Sequence, residues 1–182
     1  MNEQTANQNK TVDQYGNARI TLKNVKVAEF ASEETHCFTA SVYLDGKRLG
    51  VAHNDGHGGQ TWFRPYMVDD KAKLAEAEAY AEALPPMDCS DLGFTAPLLM
   101  TLDTLVDSLL EDHLQAKAQW VHEADMKRQC RTKIVLKENG EYYTLAVKTG
   151  VSVRNTQRWS ESVQRQYPNA TIMNLQWGIL PA

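Results

Sequence analysis

The residues best suited to chemistry lie in one short stretch, VAHNDGHGGQ, at positions 51–60. Imidazole and carboxylate groups bind zinc and other transition metals, so His53, Asp55 and His57 form a candidate metal site. Two strands before it and a helix after it would suit a metal-dependent nuclease. The spacing fits poorly, because the expected strand pairing turns His53 toward the core and the next helix contains no histidine. We therefore favour a glycine-rich structural or recognition loop over a metal enzyme.

The other short patterns resemble catalytic motifs only in part. GHGGQ matches neither a dinucleotide-binding glycine motif nor a P-loop, because the glycine spacing differs and no Gly-Lys-Ser/Thr is present. VHEAD lacks the second histidine of HExxH, and the sequence contains no G-x-S-x-G. The sequence therefore predicts a protein that is not an enzyme and that uses no cofactor and no metal.

The composition is that of a soluble globular protein, with 42% hydrophobic and 23% charged residues. No apolar run approaches the roughly 20 residues that a membrane span needs. Residues 1–18 are polar and lack the apolar segment of a secretory signal, which predicts a disordered tail and a cytoplasmic protein. The three cysteines, Cys37, Cys89 and Cys130, form no CxxC pair, so we expect reduced thiols.

The elements that position the loop begin with strands. The segment 20–30 has β-branched residues whose apolar phase slips between Leu22 and Val25, as at a β-bulge. Asp45-Gly46 lies between two alternating runs, which is typical of a two-residue hairpin turn. That turn predicts four cross-strand pairs, which are Leu44 with Lys47, Val42 with Leu49, Ala40 with Val51 and Phe38 with His53.

Helices follow these strands. Residues 69–84 are alanine-rich and end at Pro85-Pro86, which predicts a helix packed closely against the sheet. After a connection at 85–97, apolar residues from Leu98 to Val121 keep helical spacing beside an acidic stripe. The sequence then predicts a hairpin turning at Asn139-Gly140, a short helix with an apolar stripe and a closing strand ATIMNLQW. The stripe residues are Trp159, Val163 and Tyr167.

These elements predict an α+β fold: an antiparallel N-terminal β-hairpin sheet, two central helices of which one is long and acidic, and a C-terminal β-hairpin-helix-strand unit. We expect a tail at 1–18, an N-terminal subdomain at 19–84 and a C-terminal subdomain at 98–182.

Charge is separated along the chain. Residues 69–125 carry thirteen acidic and three basic side chains, whereas 127–182 carry three acidic and nine basic ones. An acidic helix face can imitate the phosphates of a nucleic acid, and a basic face can bind them. The nucleic-acid candidates are Lys127, Arg128, Arg131, Arg154 and Arg158. An equally weighted alternative is a solvated basic surface that balances the acidic helices.

The stretch FASEETHCFTASVYLDGKRLGVAHNDGHGG, residues 30–59, resembles a segment of small accessory proteins of phages, plasmids and gut-bacterial mobile elements. The resemblance covers residues 20–65 and continues more weakly through LPPMD, the acidic helix and TKIVLKENGEYY. Among these proteins, the chain resembles anti-CRISPR inhibitors of type II systems, including type II-A. The resemblance implies stoichiometric binding to a type II CRISPR-Cas nuclease that blocks target DNA binding or cleavage. Guide RNA or DNA is a further partner to consider.

From the residues themselves, we expect the partner to contact the glycine loop and the acidic helix face. The expected contact residues are Asn54, Asp55, Gly56, His57, Gly58, Gly59, Asp103, Asp107 and Glu111. A nucleic-acid-binding accessory protein of a phage or plasmid is the main alternative, and a metal-dependent nuclease is the less favoured one.

Overall fold

The computed structural model describes residues 19–66, 71–90, 93, 95–147 and 156–181. The predicted tail at 1–18 lies outside the described residues. The α+β prediction is confirmed, because the described residues form two antiparallel sheets, a long helix and shorter helices. No helix in the described ranges combines the length and apolar character needed to cross a membrane.

The first sheet has the order β1-β2-β3-β4 and the second has the order β6-β5-β7. The strands are β1 Ile20–Val27, β2 Cys37–Leu44, β3 Lys47–Asp55, β4 Trp62–Pro65, β5 Lys133–Glu138, β6 Glu141–Ala146 and β7 Thr171–Ile172. The helices are α1 Lys71–Glu82, α2 Leu102–Gln129, α3 Thr156–Gln166 and α4 Met173–Trp177, and a short 3-10 turn covers Glu29–Ala31.

The chain divides into two compact units, Met1–His113 and Leu114–Ala182, here called the N-terminal and C-terminal units. This division falls inside α2. The first turns of α2 group with the N-terminal unit because they bury Leu105 and Val106 and accept a hydrogen bond from the Thr61 side chain.

The bulge expected in β1 is confirmed, because the pairing of β1 with β2 shifts between Lys23 and Lys26. Asn24, inside that shift, has a positive φ of 53°. An asparagine tolerates this left-handed conformation better than most residues.

The first hairpin turns at Asp45-Gly46 as expected, with positive φ at both residues. Leu44 pairs with Lys47 as predicted, but the other three predicted pairs are wrong by one residue, because the register shifts between Val42 and Tyr43. The observed pairs are Val42 with Gly50, Ala40 with Ala52 and Phe38 with Asn54. A one-residue slip exchanges the two faces of a strand.

The slip has a packing reason. Leu49 is the extra residue on β3, and its side chain is buried. Gly50 then lies against β4, where a Cβ would come within 2.5 Å of Cζ of Phe63. As a consequence, Asn54 and not His53 shares the buried face with Phe38 and Ala52.

The central helices differ from the prediction mainly at their ends. α1 begins at Lys71, while Asp69 and Asp70, expected in its first turn, lie outside the described residues. Two of its alanines, Ala77 and Ala81, are fully buried. α2 begins at Leu102 and not at Leu98, because Leu98 pairs with Met87 in an isolated bridge. Val121, expected in the core stripe of this helix, is exposed.

The second hairpin turns at Asn139-Gly140 as predicted. Leu136 pairs with Tyr143 and Ile134 with Leu145, so the four side chains share one face. The stripe on α3 is also confirmed. Trp159 belongs to a buried cluster with Ile134 and Leu136, and Val163 and Tyr167 pack against it.

The predicted closing strand is wrong over most of its length, because only Thr171–Ile172 pairs with β5 and Met173–Trp177 forms α4. The fully buried side chain of Asn174 explains the change. Its Oδ1 accepts a hydrogen bond from the Val135 N–H at 2.7 Å, and its Nδ2 donates to the carbonyls of Cys130 and Lys133 at 3.0 and 2.9 Å. These bonds satisfy backbone groups of β5 and of Cys130 before it. Without the Asn174 side chain, a longer β7 would be needed to pair with that part of β5.

Candidate partner-binding surface

The glycine loop at residues 54–59 is organised by one buried side chain, that of Asn54, which is 6% exposed. Its Oδ1 accepts hydrogen bonds from the Gly56 N–H at 2.9 Å and from the Thr35 hydroxyl at 2.8 Å. Its Nδ2 donates to the Gly59 carbonyl at 3.2 Å. Asn54 therefore shapes the loop from within, and its buried side chain is not exposed to a partner.

Gly56 joins the loop to the segment before β2. Its carbonyl accepts hydrogen bonds from the backbone N–H groups of Glu33, Glu34 and Thr35, at 2.9, 3.1 and 3.4 Å. Its φ is +88°, and an added Cβ would meet the Ala31 carbonyl and approach Cβ of Cys37 to 2.8 Å. Only glycine meets both requirements.

The segment before β2 is ordered by its own side chains as well. The Ser32 hydroxyl donates to the Ala28 carbonyl at 3.0 Å and accepts from the Cys37 N–H at 2.9 Å. The Thr35 hydroxyl also accepts from the Gly58 N–H at 3.3 Å. The FASEET and NDGHGG ends of residues 30–59 thus form one hydrogen-bonded loop pair, although eighteen residues separate them.

The acidic start of α2 lies beside this loop pair. The Thr61 hydroxyl donates to Oδ1 of Asp107 at 2.5 Å, and Nε2 of Gln60 donates to Oδ2 of Asp103 at 2.8 Å. Nε2 of His36 lies 3.4 Å from Oε2 of Glu111. The three α2 carboxylates expected to contact a partner are therefore each in contact with a residue next to the loop pair. These residues are His36, Gln60 and Thr61.

The pKa of Asp107 is raised above its ordinary value, mainly because surrounding atoms desolvate its carboxyl group although the residue remains solvent-exposed. The hydrogen bond from Thr61 lowers the pKa, the negative charge of Asp103 raises it and His36 lowers it, in decreasing order of effect. The result is a carboxylate that takes up a proton more readily than an isolated aspartate.

The structure adds residues that the sequence did not single out. Phe30 is 94% exposed in the 3-10 turn of the loop pair. Glu33 and Glu34 follow three and four residues later, and Oε2 of Glu33 lies 3.2 Å from Nδ1 of His57. The sequence suggested only a polar connection here, and the one available signal was an aromatic residue inside that connection. We call the loop pair, Phe30 and the α2 carboxylates the acidic surface.

The expected contact residues divide into two groups on this surface. Asn54 and Gly56 are buried and determine the shape of the loop, and Gly58 is half-buried beside Glu34. The exposed or partly exposed ones are Asp55, His57, Gly59, Asp103, Asp107 and Glu111.

The metal-site alternative finds no geometric support. Among the described residues, no group of three or more His, Cys, Asp or Glu side chains is placed to hold a metal ion. His57 lies beside Glu33, whereas His53 and Asp55 line a groove of about 490 Å³ on the sheet. Their neighbours in that groove include Cys37, Arg64 and Lys26.

Four of the five nucleic-acid candidates are among the described residues, and these four lie in the C-terminal unit. Nζ of Lys127 pairs with Glu123 at 2.7 Å, and the largely exposed Arg128 lies 3.4 Å from Asp125. Arg131 is exposed just after α2, and Arg158 is exposed on α3. Arg154 lies outside the described residues.

Comparisons of the chain with protein-family models, with curated proteins and with solved structures found no match.

Proposed function

We propose that this protein is a mobile-element anti-defence protein that acts by stoichiometric binding. Its partner is a type II CRISPR-Cas nuclease in the cytoplasm of a bacterial host cell, and the result is a block of target DNA binding or cleavage. The observation that carries the proposal is the acidic surface, in which a hydrogen-bonded loop pair and three helix carboxylates lie together. The resemblance of residues 30–59 to anti-CRISPR proteins supplies the choice of partner.

Charge supports this choice. Residues 1–113, the N-terminal unit, carry eighteen acidic and nine basic side chains. The guide and target channels of an RNA-guided nuclease are positively charged because they hold nucleic acid. An acidic protein surface can occupy such a channel and compete with DNA, and the attraction raises the association rate at low salt.

Loop order supports tight binding. Hydrogen bonds that involve Asn54, Gly56 and Ser32 fix the loop pair before a partner arrives, so less conformational entropy is lost on association. Phe30 projects from this ordered turn with almost its whole side chain in water. Burial of one such aromatic side chain in a partner pocket is typical of an interface hot spot.

The test is a titration of a purified type II nuclease with its guide RNA, followed by target cleavage and by the measured Kd. We expect inhibition to reach its end point at about one protein per nuclease. Complete inactivation by far less than one equivalent would contradict a binding mechanism. Lack of binding would remove the proposed partner.

Two variants test the surface itself. Phe30→Ala should weaken binding by at least about 30-fold, because a hot-spot residue contributes about 2 kcal/mol or more. Leu99→Ala is the matched control, since Leu99 is 75% exposed in the same unit but outside the acidic surface. Glu33→Lys together with Glu111→Lys should slow association, whereas Glu82→Lys on α1 should change it less.

A further inference from the structure

The C-terminal unit carries charge opposite to that of the N-terminal unit. Residues 114–182 contain ten basic and five acidic side chains. A net positive unit within an acidic protein is suited to a polyanion, and this chemistry goes beyond the proposed acidic surface.

Aromatic rings and lysines form a cluster in this unit. Tyr142 stacks on Trp177 with ring centroids 6.0 Å apart, and the His122 ring meets Tyr142 edge-on at 5.3 Å. Nζ of Lys137 lies 4.9 Å from the Tyr142 ring centroid, and Nζ of Lys127 lies 5.3 Å from that of Trp177. These residues form what we call the aromatic-basic cluster.

The cluster is held in place by the core beneath it. Tyr142 and Trp177 pack against buried Met126, Cys130 and Met173 while remaining partly exposed. Each lysine is attracted to the face of its ring, which keeps a positive charge near the aromatic surface. The core thus fixes the positions of the two rings and keeps a lysine beside each of them.

Exposed groups on α2 extend the cluster. Trp120 is 72% exposed and lies seven residues before Lys127, so both side chains leave the same side of the helix about 10 Å apart. The Arg128 side chain is 75% exposed, and Arg131 is exposed just beyond the helix. The surface thus offers an open indole ring beside several cations.

We propose that the aromatic-basic cluster with Trp120 binds single-stranded nucleic acid. Exposed bases stack on aromatic rings while lysine and arginine contact the phosphates, and a duplex hides its base faces from such stacking. Lys127 and Arg128 must exchange their contacts with Glu123 and Asp125 for phosphate, which makes the binding weak and strongly salt-dependent.

The test uses fluorescence anisotropy of labelled 12-nucleotide dT and rU strands, with a 12-base-pair duplex for comparison. We expect single strands to bind at least about tenfold more tightly than the duplex. About three phosphate contacts would weaken binding by about 18-fold between 50 and 200 mM salt. The two strands distinguish DNA from RNA, and either one meeting these criteria supports the site.

Variants assign the binding to the cluster. Trp120→Ala should lower affinity by about fivefold or more, while Trp120→Phe should retain most of it. Lys127→Ala should reduce the salt slope by about 0.7. The matched controls lie in the N-terminal unit: Trp62→Ala removes an indole that is 69% exposed, and Arg48→Ala removes the cation 4.7 Å from the Tyr66 ring. Neither control should change binding.

Three results would overturn the proposal. The first is no binding of either strand at about 100 µM protein and low salt, which is the weak end of nonspecific affinity. The second is a duplex that binds as well as the single strands. The third is an unchanged affinity of Trp120→Ala, with circular dichroism showing that the variant is folded.

Discussion

Replacement of Asn54 by alanine tests whether one buried side chain holds the loop pair together. The Asn54 side chain makes three hydrogen bonds, to Gly56, Thr35 and Gly59, and each joins parts of the loop pair. Alanine removes all three and leaves the buried Gly56 N–H without its side-chain acceptor. The loop pair should therefore lose order together with global stability.

The size of the effect follows from these bonds. Each contributes about 1 kcal/mol net, and the stranded Gly56 donor costs about 1 kcal/mol more where water does not reach it. We expect the free energy of unfolding to fall by about 3–4 kcal/mol. With a urea m value of about 2 kcal/mol per M, the midpoint should move by roughly 1.5–2 M.

The assay is equilibrium urea denaturation followed by circular dichroism. Asn169→Ala is the matched control, because Asn169 is exposed in the turn after α3 and should shift the midpoint little. Thr35→Val completes a double-mutant cycle, in which the coupling with Asn54→Ala should exceed about 0.5 kcal/mol. A loss below about 1 kcal/mol for Asn54→Ala would refute the assignment.

Three further predictions concern individual residues. Gly56→Ala should destabilise the fold by about 3 kcal/mol, because the added Cβ brings both backbone strain and steric overlap. Gly59→Ala should cost about 1–2 kcal/mol, because Gly59 has φ +93° but open space around it. Equal shifts of Tm for the two variants would contradict this difference. Because the folded-state pKa of Asp107 is raised, its charged form costs stability once the pH rises above the ordinary value of 3.8. Asp107→Asn should therefore raise Tm at pH 7, with a gain that fades toward pH 3 in a series of melting curves, and a gain that grows on acidification would contradict the sign. Asn174→Ala removes three buried hydrogen bonds and should lower the free energy of unfolding, measured in urea, by about 3 kcal/mol. A loss no larger than that of the Asn169→Ala control would show that these bonds are dispensable.

Much of the fold could be predicted from local sequence. Asp45-Gly46 and Asn139-Gly140 fix both hairpin turns because few residue pairs tolerate two successive positive φ angles. The β1 bulge and the apolar stripe of α3 were also visible as breaks and repeats in hydrophobic spacing. These signals come from residues that are neighbours in the sequence, so they can be read from one sequence alone.

The predictions failed where distant residues decide the outcome. The register of the first hairpin depends on Leu49 entering the core and on Phe63 lying against Gly50. The end of the chain becomes α4 because Asn174 bonds to residues around β5. In both places, contacts between residues far apart in the sequence override the local preference for a strand or a register.

The candidate site shows the same division. The sequence by itself determined that residues 54–59 form a sharp loop and that α2 is acidic, because glycine conformations and charge are properties of the residues themselves. Only the tertiary structure decided that Asn54 points inward, that residues 30–35 complete the loop pair and that Phe30 is exposed in its 3-10 turn. Burial and hydrogen bonding join segments that are far apart along the chain. A local sequence pattern therefore does not predict which segments will be in contact.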